Sequence, residues 1–328
     1  MRRKGLKVFF LLVALILCGC RNDAPVATDS VVTDPPVSEP MPTETIPLQT
    51  EMPFTGWAEI DGETVYLDGD VLCTGWLELE DGTYYLDEYG HKVTGWVELN
   101  GRNHYFLSDG RAAQGKQMLD ETVFYFSSKG EQIVLVNQWN PLPWDYNPEI
   151  TEAVNGCYVA KECADALHAM LTDLKDAVGT VGLLNGYRNY TMQYQAFYGS
   201  IDNMVRSGTS YHVAYSIVKQ SLAIPGTSEH QLGLAVDVMD PNDLFYDNGE
   251  TEVIHWLKEH CWDYGFIMRY PEGKSHITGI VFEPWHYRYI GVEIAQELKD
   301  SGLCLEEYLD QLTNDGTTCG DPNALSNE

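Results

Sequence analysis

Ile224-Pro225-Gly226-Thr227-Ser228-Glu229-His230-Gln231-Leu232-Gly233-Leu234-Ala235-Val236-Asp237-Val238-Met239 reads as a loop that runs into a strand over Leu234–Met239. It sets His230 seven residues before Asp237, with Gly226 and Gly233 on either side of the histidine. Along one straight strand that spacing puts the two side chains on opposite faces. Gly233 lets the chain turn, so a loop histidine and a strand aspartate can converge. A second stretch, Glu283-Pro284-Trp285-His286, completes the set. Its outer residues share the parity problem, and Pro284 removes a ladder donor, so a tight turn is expected to aim both side chains inward. His230, Asp237 and His286 would supply two nitrogens and one oxygen, the three protein ligands of a catalytic zinc site that keeps its fourth position for water. Glu283 is then the candidate base. It would take a proton from a water whose pKa the metal lowers to ~7 and pass it to a leaving amine. A His and an Asp seven apart also recur by chance, so spacing alone leaves a structural role for the histidines open.

The surrounding pattern alternates irregularly between helix and strand. Val159, Cys163, Leu167, Met170, Leu171, Leu174 and Val178 recur at three- and four-residue steps, one face of a helix that Gly179 ends. Val181–Leu184 reads as a buried strand. Tyr190–Arg206 and Tyr211–Leu222 read as helices, with Gly208 between them. Glu252–Tyr264 is expected to be helical, Phe266–Tyr270 and His286–Ile290 extended, and Val292–Lys299 and Leu305–Leu312 short helices. With no Gly-rich phosphate loop, this favours α+β over a doubly wound sheet. His255 and His260, five apart on one helix, are poorly placed for a shared ion. His168, His212 and His276 have no matching acid, and His91 and His104 belong to the repeats upstream.

Those repeats carry Thr55-Gly56-Trp57, Thr74-Gly75-Trp76 and Thr94-Gly95-Trp96, each followed by a turn signal and an aromatic strand. The turns are Asp61-Gly62, Asp81-Gly82 and Asn100-Gly101; the strands are Val65-Tyr66-Leu67, Tyr84-Tyr85-Leu86 and Tyr105-Phe106-Leu107. A degraded fourth unit runs from Gly115 to Val134. A lone hairpin of this size is not stable, so stacked copies must bury one another's faces. Residues 136–155 are expected to be a Pro- and Trp-rich connector, with a domain boundary at its start.

Residues 21–53 are rich in Pro, Thr, Ser, Val and acids, too polar to offset the entropy of ordering, and read as a disordered tether. Residues 1–20 read as a processing signal: Arg2, Arg3, Lys4 and Lys7 precede an apolar run, Val8–Leu17, too short to span a bilayer. Of the eight cysteines, six remain beyond that signal: Cys73, Cys157, Cys163, Cys261, Cys304 and Cys319. Export permits disulfides; Cys304–Cys319 is one candidate pair, whereas Cys163 on its apolar stripe is expected to be a buried thiol. The tail 314–328 is polar. A formal charge of −29 argues against a nucleic-acid partner and fits a solvated extracellular chain with a neutral or cationic ligand.

Three resemblances sharpen these readings. Leu17-Cys18-Gly19-Cys20 resembles a bacterial lipobox, which implies lipidation at Cys20 and a membrane anchor; cleavage as an ordinary secretory peptide is the alternative. Residues 55–134 resemble the cell-wall-binding repeats of choline-binding and glucan-binding proteins. Trp57, Trp76 and Trp96 match aromatics that cage a quaternary ammonium there. Thr64 and Asn103 stand where the first aromatic of that family's triplet falls, and the aromatics could equally be solenoid core.

The third resemblance covers about residues 136–300. Gly186-Tyr187-Arg188-Asn189-Tyr190 with Gln193, the stretch Gly226–Asp237, Tyr264-Gly265-Phe266 and Glu283-Pro284-Trp285-His286-Tyr287-Arg288-Tyr289 closely resemble the VanY-type zinc D-alanyl-D-alanine carboxypeptidase family. The resemblance implies a small antiparallel sheet flanked by helices (zinc D,D-peptidase/Hedgehog-like), here at residues 136–313 behind a β-hairpin solenoid at 54–135. It implies one Zn2+ held by His230, Asp237 and His286, with Glu283 as base. Arg188 would grip the substrate or steady the oxyanion, and Gln193 and Ser228 would line the substrate pocket. A planar guanidinium suits recognition of a free C-terminal carboxylate. The implied activity is removal of the terminal D-alanine from peptidoglycan stem peptides outside the cell, within the wall. An L,D-carboxypeptidase, an endopeptidase on the same stems, or a non-catalytic wall-binding sensor are the alternatives. Trp285, Tyr287 and Tyr289 are expected to serve packing.

Overall fold

The computed structural model describes residues 53–154, 156–179, 181–241 and 251–313. The expected signal peptide, Cys20, nearly all of the tether, Cys319 and the polar tail lie outside the described residues.

Four hairpins open the described chain. The first comprises β1 (Gly56–Ile60) and β2 (Glu63–Asp68), with a short β3 (Val71–Leu72) added; the second β4 (Gly75–Leu79) and β5 (Gly82–Leu86). The third comprises β6 (Gly95–Leu99) and β7 (Arg102–Phe106); the fourth β8 (Gly115–Leu119) and β9 (Thr122–Phe126), with β10 (Gln132–Ile133) added. Asp61-Gly62 and Asn100-Gly101 all have positive φ, the type I′ geometry whose twist matches the flanking strands. In the fourth hairpin Asp120 and Glu121 occupy those positions without a glycine, consistent with a degraded unit.

A bulged hairpin follows, β11 (Ile150–Val154) with β12 (Cys157–Ala160), inside and just beyond the expected connector. The helix expected from Val159 therefore starts later, as α1 (Lys161–Val178), because Val159 and Ala160 are held in strand pairing and Ala160 N–H donates to Gly233 O. Gly179 ends it, as expected. Next come β13 (Gly182–Asn185), α2 (Tyr190–Arg206) and α3 (Tyr211–Ser221). After a 3₁₀ turn at Glu229–Leu232 follow β14 (Ala235–Met239), α4 (Glu252–His260), a second 3₁₀ turn at Cys261–Tyr264 and β15 (Phe266–Met268). A four-residue α5 (Ser275–Thr278), β16 (His286–Tyr289), α6 (Val292–Ser301) and α7 (Leu305–Leu312) complete the order.

The four-stranded sheet runs β13-β14-β16-β15, antiparallel throughout, as α+β requires. Alternation along its strands separates the two faces. Val236, Val238 and Tyr287 join Leu167, Met170 and Leu174 of α1 and Ile254 and Leu257 of α4 in one buried cluster. Asp237 and His286 point the other way. The register sets Asp237 opposite both Asn185 and His286, so one row crosses three strands. A register shift between Leu183 and Asn185 re-aims Asn185 into that row. The α2–α3 pair has its own small core of Phe197, Ile201, Ala214 and Val218.

Packing crosses position 136. Tyr125 and Ile133 of the fourth hairpin share an apolar cluster with Ile290, Ile294, Leu298, Leu305 and Leu309. Arg102 pairs with buried Glu131, donates to Ile290 O at 3.0 Å and lies over the Tyr289 ring. Cys73, Cys157, Cys163, Cys261 and Cys304 are free thiols, the last three buried, so Cys304, half of the candidate pair with Cys319, is found unpaired.

Candidate metal centre

His230 sits on the 3₁₀ turn ahead of β14. Gly233 closes that turn at φ 73°, and its missing Cβ leaves room for Ala160 N, which an added Cβ would meet at 2.7 Å. The turn lets His230 and Asp237 converge from different elements, the outcome expected for that spacing. On the second stretch, His286 N–H donates to Glu283 O at 3.2 Å, the tight turn that aims both side chains at one point.

The three ligand candidates meet. His230 Nε2 lies 3.4 Å from Asp237 Oδ2, and His286 Nδ1 lies 3.1 Å from Asp237 Oδ1. The imidazoles stand edge to face, with centroids 4.9 Å apart. Donor atoms of the three lie within 4.8 Å of one another, and all three residues are buried. Ligands 2.0–2.2 Å from one tetrahedral ion stand roughly 3.3–3.6 Å apart, so a zinc-sized cation fits this trio. Each ligand has outer support. His230 Nδ1 lies 2.8 Å from Gly186 O, Asn185 donates to Asp237 Oδ2 at 2.8 Å, and Glu229 Oε2 lies 3.6 Å from His286 Nε2.

Glu283 stands at the edge of the trio, its Oε2 3.9 Å from His286 Nδ1. Burial pushes its carboxyl up to about 8, with Asp237 adding to the rise and His286 and Arg188 opposing it. Such a group is poised to gain and lose a proton near neutrality. Arg188 lines the same cavity, and its buried Nε has no hydrogen-bond partner among the described residues. Burial lowers its pKa while Asp237 and Glu283 oppose that shift. A guanidinium that lines a cavity with one nitrogen unsatisfied fits an incoming anion.

Ser228 lines the cavity. Gln193 does not: it is fully buried and donates to Ala223 O at 2.5 Å, so it holds a wall that Ala223 contributes. Trp285, expected to serve packing, is half-buried and lines the cavity with Tyr270 and Asn185. Tyr270, Asn185 and Glu229 were not singled out by sequence reasoning. Glu229 carried a signal, an acid directly before a candidate ligand, whereas the other two are placed by sheet register and loop path. In the repeats, Trp57 meets Tyr66 and Tyr84, Trp76 meets Tyr85 and His104, and Trp96 meets Tyr105 and Phe124, at 4.9–5.5 Å between centroids. Lys92 Nζ stands 5.0 Å from the Trp57 ring centroid, while Trp96 is 46% exposed. Among the described residues no helix is long and apolar enough to cross a membrane.

A His-Asp-His trio on an antiparallel sheet, with a buried glutamate and an arginine lining the same cavity, is an arrangement of the mononuclear metallopeptidase type. Comparison with known proteins narrows the class. The profile of the VanY D-alanyl-D-alanine carboxypeptidase family matches residues 156–292, and that of the choline-binding repeat matches residues 93–139. A D-alanyl-D-alanine carboxypeptidase of Enterococcus faecalis is 39% identical over 181 residues, 54% of this chain and 65% of that protein. The structure of VanYB in complex with D-alanine-D-alanine is 36% identical, with a TM-score of 0.50, over 55% of this chain and 98% of that one. A VanY D,D-pentapeptidase variant from a VanB-type resistance cassette, solved in complex with Zn(II), is 38% identical with a TM-score of 0.49, over 54% and 97%. The chain belongs to the VanY D-alanyl-D-alanine carboxypeptidase family. It spans about two thirds of the Enterococcus faecalis relative's length.

Proposed function

We propose that this chain is a zinc-dependent D-alanyl-D-alanine carboxypeptidase that removes the terminal D-alanine from peptidoglycan stem peptides or their precursors. His230, Asp237 and His286 hold the ion, which when bound supplies Lewis acidity to a water and to the scissile carbonyl. Glu283 takes the proton of the attacking water and returns it to the departing amine, a role its elevated pKa supports. Arg188 pairs with the free C-terminal carboxylate of the peptide, and Ser228 contacts the same terminal residue. Gln193 fixes the wall behind it through Ala223 O.

The observation that carries this reading is the placement of Arg188 and Glu283 around one cavity with the trio. Anion recognition and proton transfer then act on the same terminal residue. The aromatic clusters at Trp57, Trp76 and Trp96 support retention on a wall polymer or glycan. Lipidation at Cys20 would keep the enzyme at the outer face of the cytoplasmic membrane, within reach of the wall. Purified protein should release D-alanine from a pentapeptide stem, stop with a chelator and resume with zinc. Glu283→Gln should cut kcat by about 10²–10⁴-fold. Release that ignores both the chelator and Glu283→Gln would refute the assignment. A panel of tripeptide, tetrapeptide, pentapeptide and cross-linked stems, read by mass spectrometry, identifies which bond is cut.

A further inference from the structure

Beneath the cleft floor lies a set of buried charges that the proposed chemistry does not use: Glu229, Arg269, Arg288 and Glu306, none more than 2% exposed. Glu229 Oε1 accepts from Arg269 Nε at 2.8 Å and from Arg288 Nη1 at 3.0 Å. The rest of each guanidinium is committed elsewhere. Arg269 forks onto Glu306 at 2.8 and 2.6 Å, and Arg288 donates to Val134 O and Tyr289 O. Asn137 donates to Glu306 Oε1 at 3.0 Å, so the set reaches the segment that follows the repeats.

One oxygen is left over. Glu229 Oε2 is buried and has no hydrogen-bond partner among the described residues, and the same is true of His286 Nε2. They face each other 3.6 Å apart, a few tenths of an ångström beyond hydrogen-bond distance. Two buried orphans, one an acceptor and one a ring nitrogen able to donate, are costly apart and satisfied together. On its other side the His286 ring presents Nδ1 to Asp237. We propose that Glu229 is a positioning residue for the metal centre. It accepts the Nε2–H of His286, fixes that tautomer and ring angle, and leaves the Nδ1 lone pair aimed at the point shared with His230 and Asp237. The two arginines hold the carboxylate in place, so the ligand's orientation is set by the buried frame. This extends the zinc reading above and depends on it.

Glutamine at position 229 cannot reproduce the arrangement. Its amide has one acceptor end and one donor end, and N–H donors face it from both sides. The test uses the full chain, with zinc affinity read by competition against a chromophoric chelator. Glu229→Gln should bind zinc about 10–100-fold more weakly than wild type. Glu306→Gln, in the same buried set but away from His286, should lower thermal stability and leave zinc affinity within about twofold. Independently of folding in either variant, ¹⁵N-histidine spectra of the zinc-loaded wild type should show His286 protonated at Nε2. A proton on Nδ1 instead, or a Glu229→Gln protein with wild-type zinc affinity, would overturn the inference and leave the zinc reading intact. Wild-type protein that binds no zinc would overturn both.

Discussion

Replacing Gly233 by alanine tests how the metal trio is assembled. Gly233 has φ 73°, where an L residue costs about 1–2 kcal/mol. The new Cβ would also meet Ala160 N at 2.7 Å and Ala160 Cα at 3.3 Å, backbone atoms that cannot rotate away. The 3₁₀ turn must therefore retreat from β12, stretching the 2.8 Å bond from Ala160 N to Gly233 O, whose loss costs about 1 kcal/mol. The sum is about 2–3 kcal/mol. Gly302 is the control: its φ is 67° and nothing lies near its absent Cβ, so Gly302→Ala should cost only the backbone part, about 1–2 kcal/mol. Urea denaturation of both variants measures the difference. Because the same turn carries His230, Gly233→Ala should also weaken zinc binding by tenfold or more, and Gly302→Ala should not. Equal stability losses in the two variants, or a destabilised Gly233→Ala with unchanged zinc affinity, would refute the close-approach reasoning.

Three further outcomes are expected. Arg188→Lys keeps the charge but cannot form two parallel bonds to a carboxylate, so KM for a D-Ala-D-Ala peptide should rise about 10–100-fold, with a smaller change in kcat; an unchanged KM would remove Arg188 from substrate binding. Burial pushes the Glu131 carboxyl up to about 7 against the opposing pull of Arg102. A raised carboxyl pKa means its contribution is complete below about pH 4.5 and lost as pH rises through about 7. Thermal unfolding from pH 4.5 to 8 should show a loss of up to about 3 kcal/mol that Glu131→Gln lacks; identical slopes would contradict this. Trp96→Ala should reduce retention on purified cell walls while leaving turnover of a soluble stem peptide unchanged, and full retention would mean these aromatics are solenoid core alone.

The junction between hairpins and catalytic sheet bears on these outcomes. Glu131, Arg102, Tyr125 and Ile133 belong to the repeat region, yet they pack on β16, α6 and α7. A variant truncated at position 136 would expose that apolar cluster, so the full chain is the proper object for every measurement above.

Local pattern alone determined much of this protein. The helix Tyr190–Arg206 was legible from end to end, because Asn189 caps it through Met192 N–H and apolar spacing marks its buried side. The helix Leu305–Leu312 and the turns Asp61-Gly62 and Asn100-Gly101 were legible for the same reason: backbone preference and periodicity act between near neighbours. The second hairpin instead turns one residue early, at Glu80-Asp81, with Gly82 already paired to Leu79, because strand pairing sets where a turn falls. The identities of His230, Asp237, His286, Glu283 and Arg188 as candidates came from motif and resemblance. Tertiary structure decided which remote atoms meet. β11 exists because β12 pairs with it, and that pairing displaces the start of α1. Asn185 reaches Asp237 across 52 residues of chain, and Glu229 reaches Arg288 across 59. Gln193, read as a pocket residue, lies behind the wall instead. These contacts depend on strand register and on the close approach of backbones, and both emerge only when the whole core is packed at once.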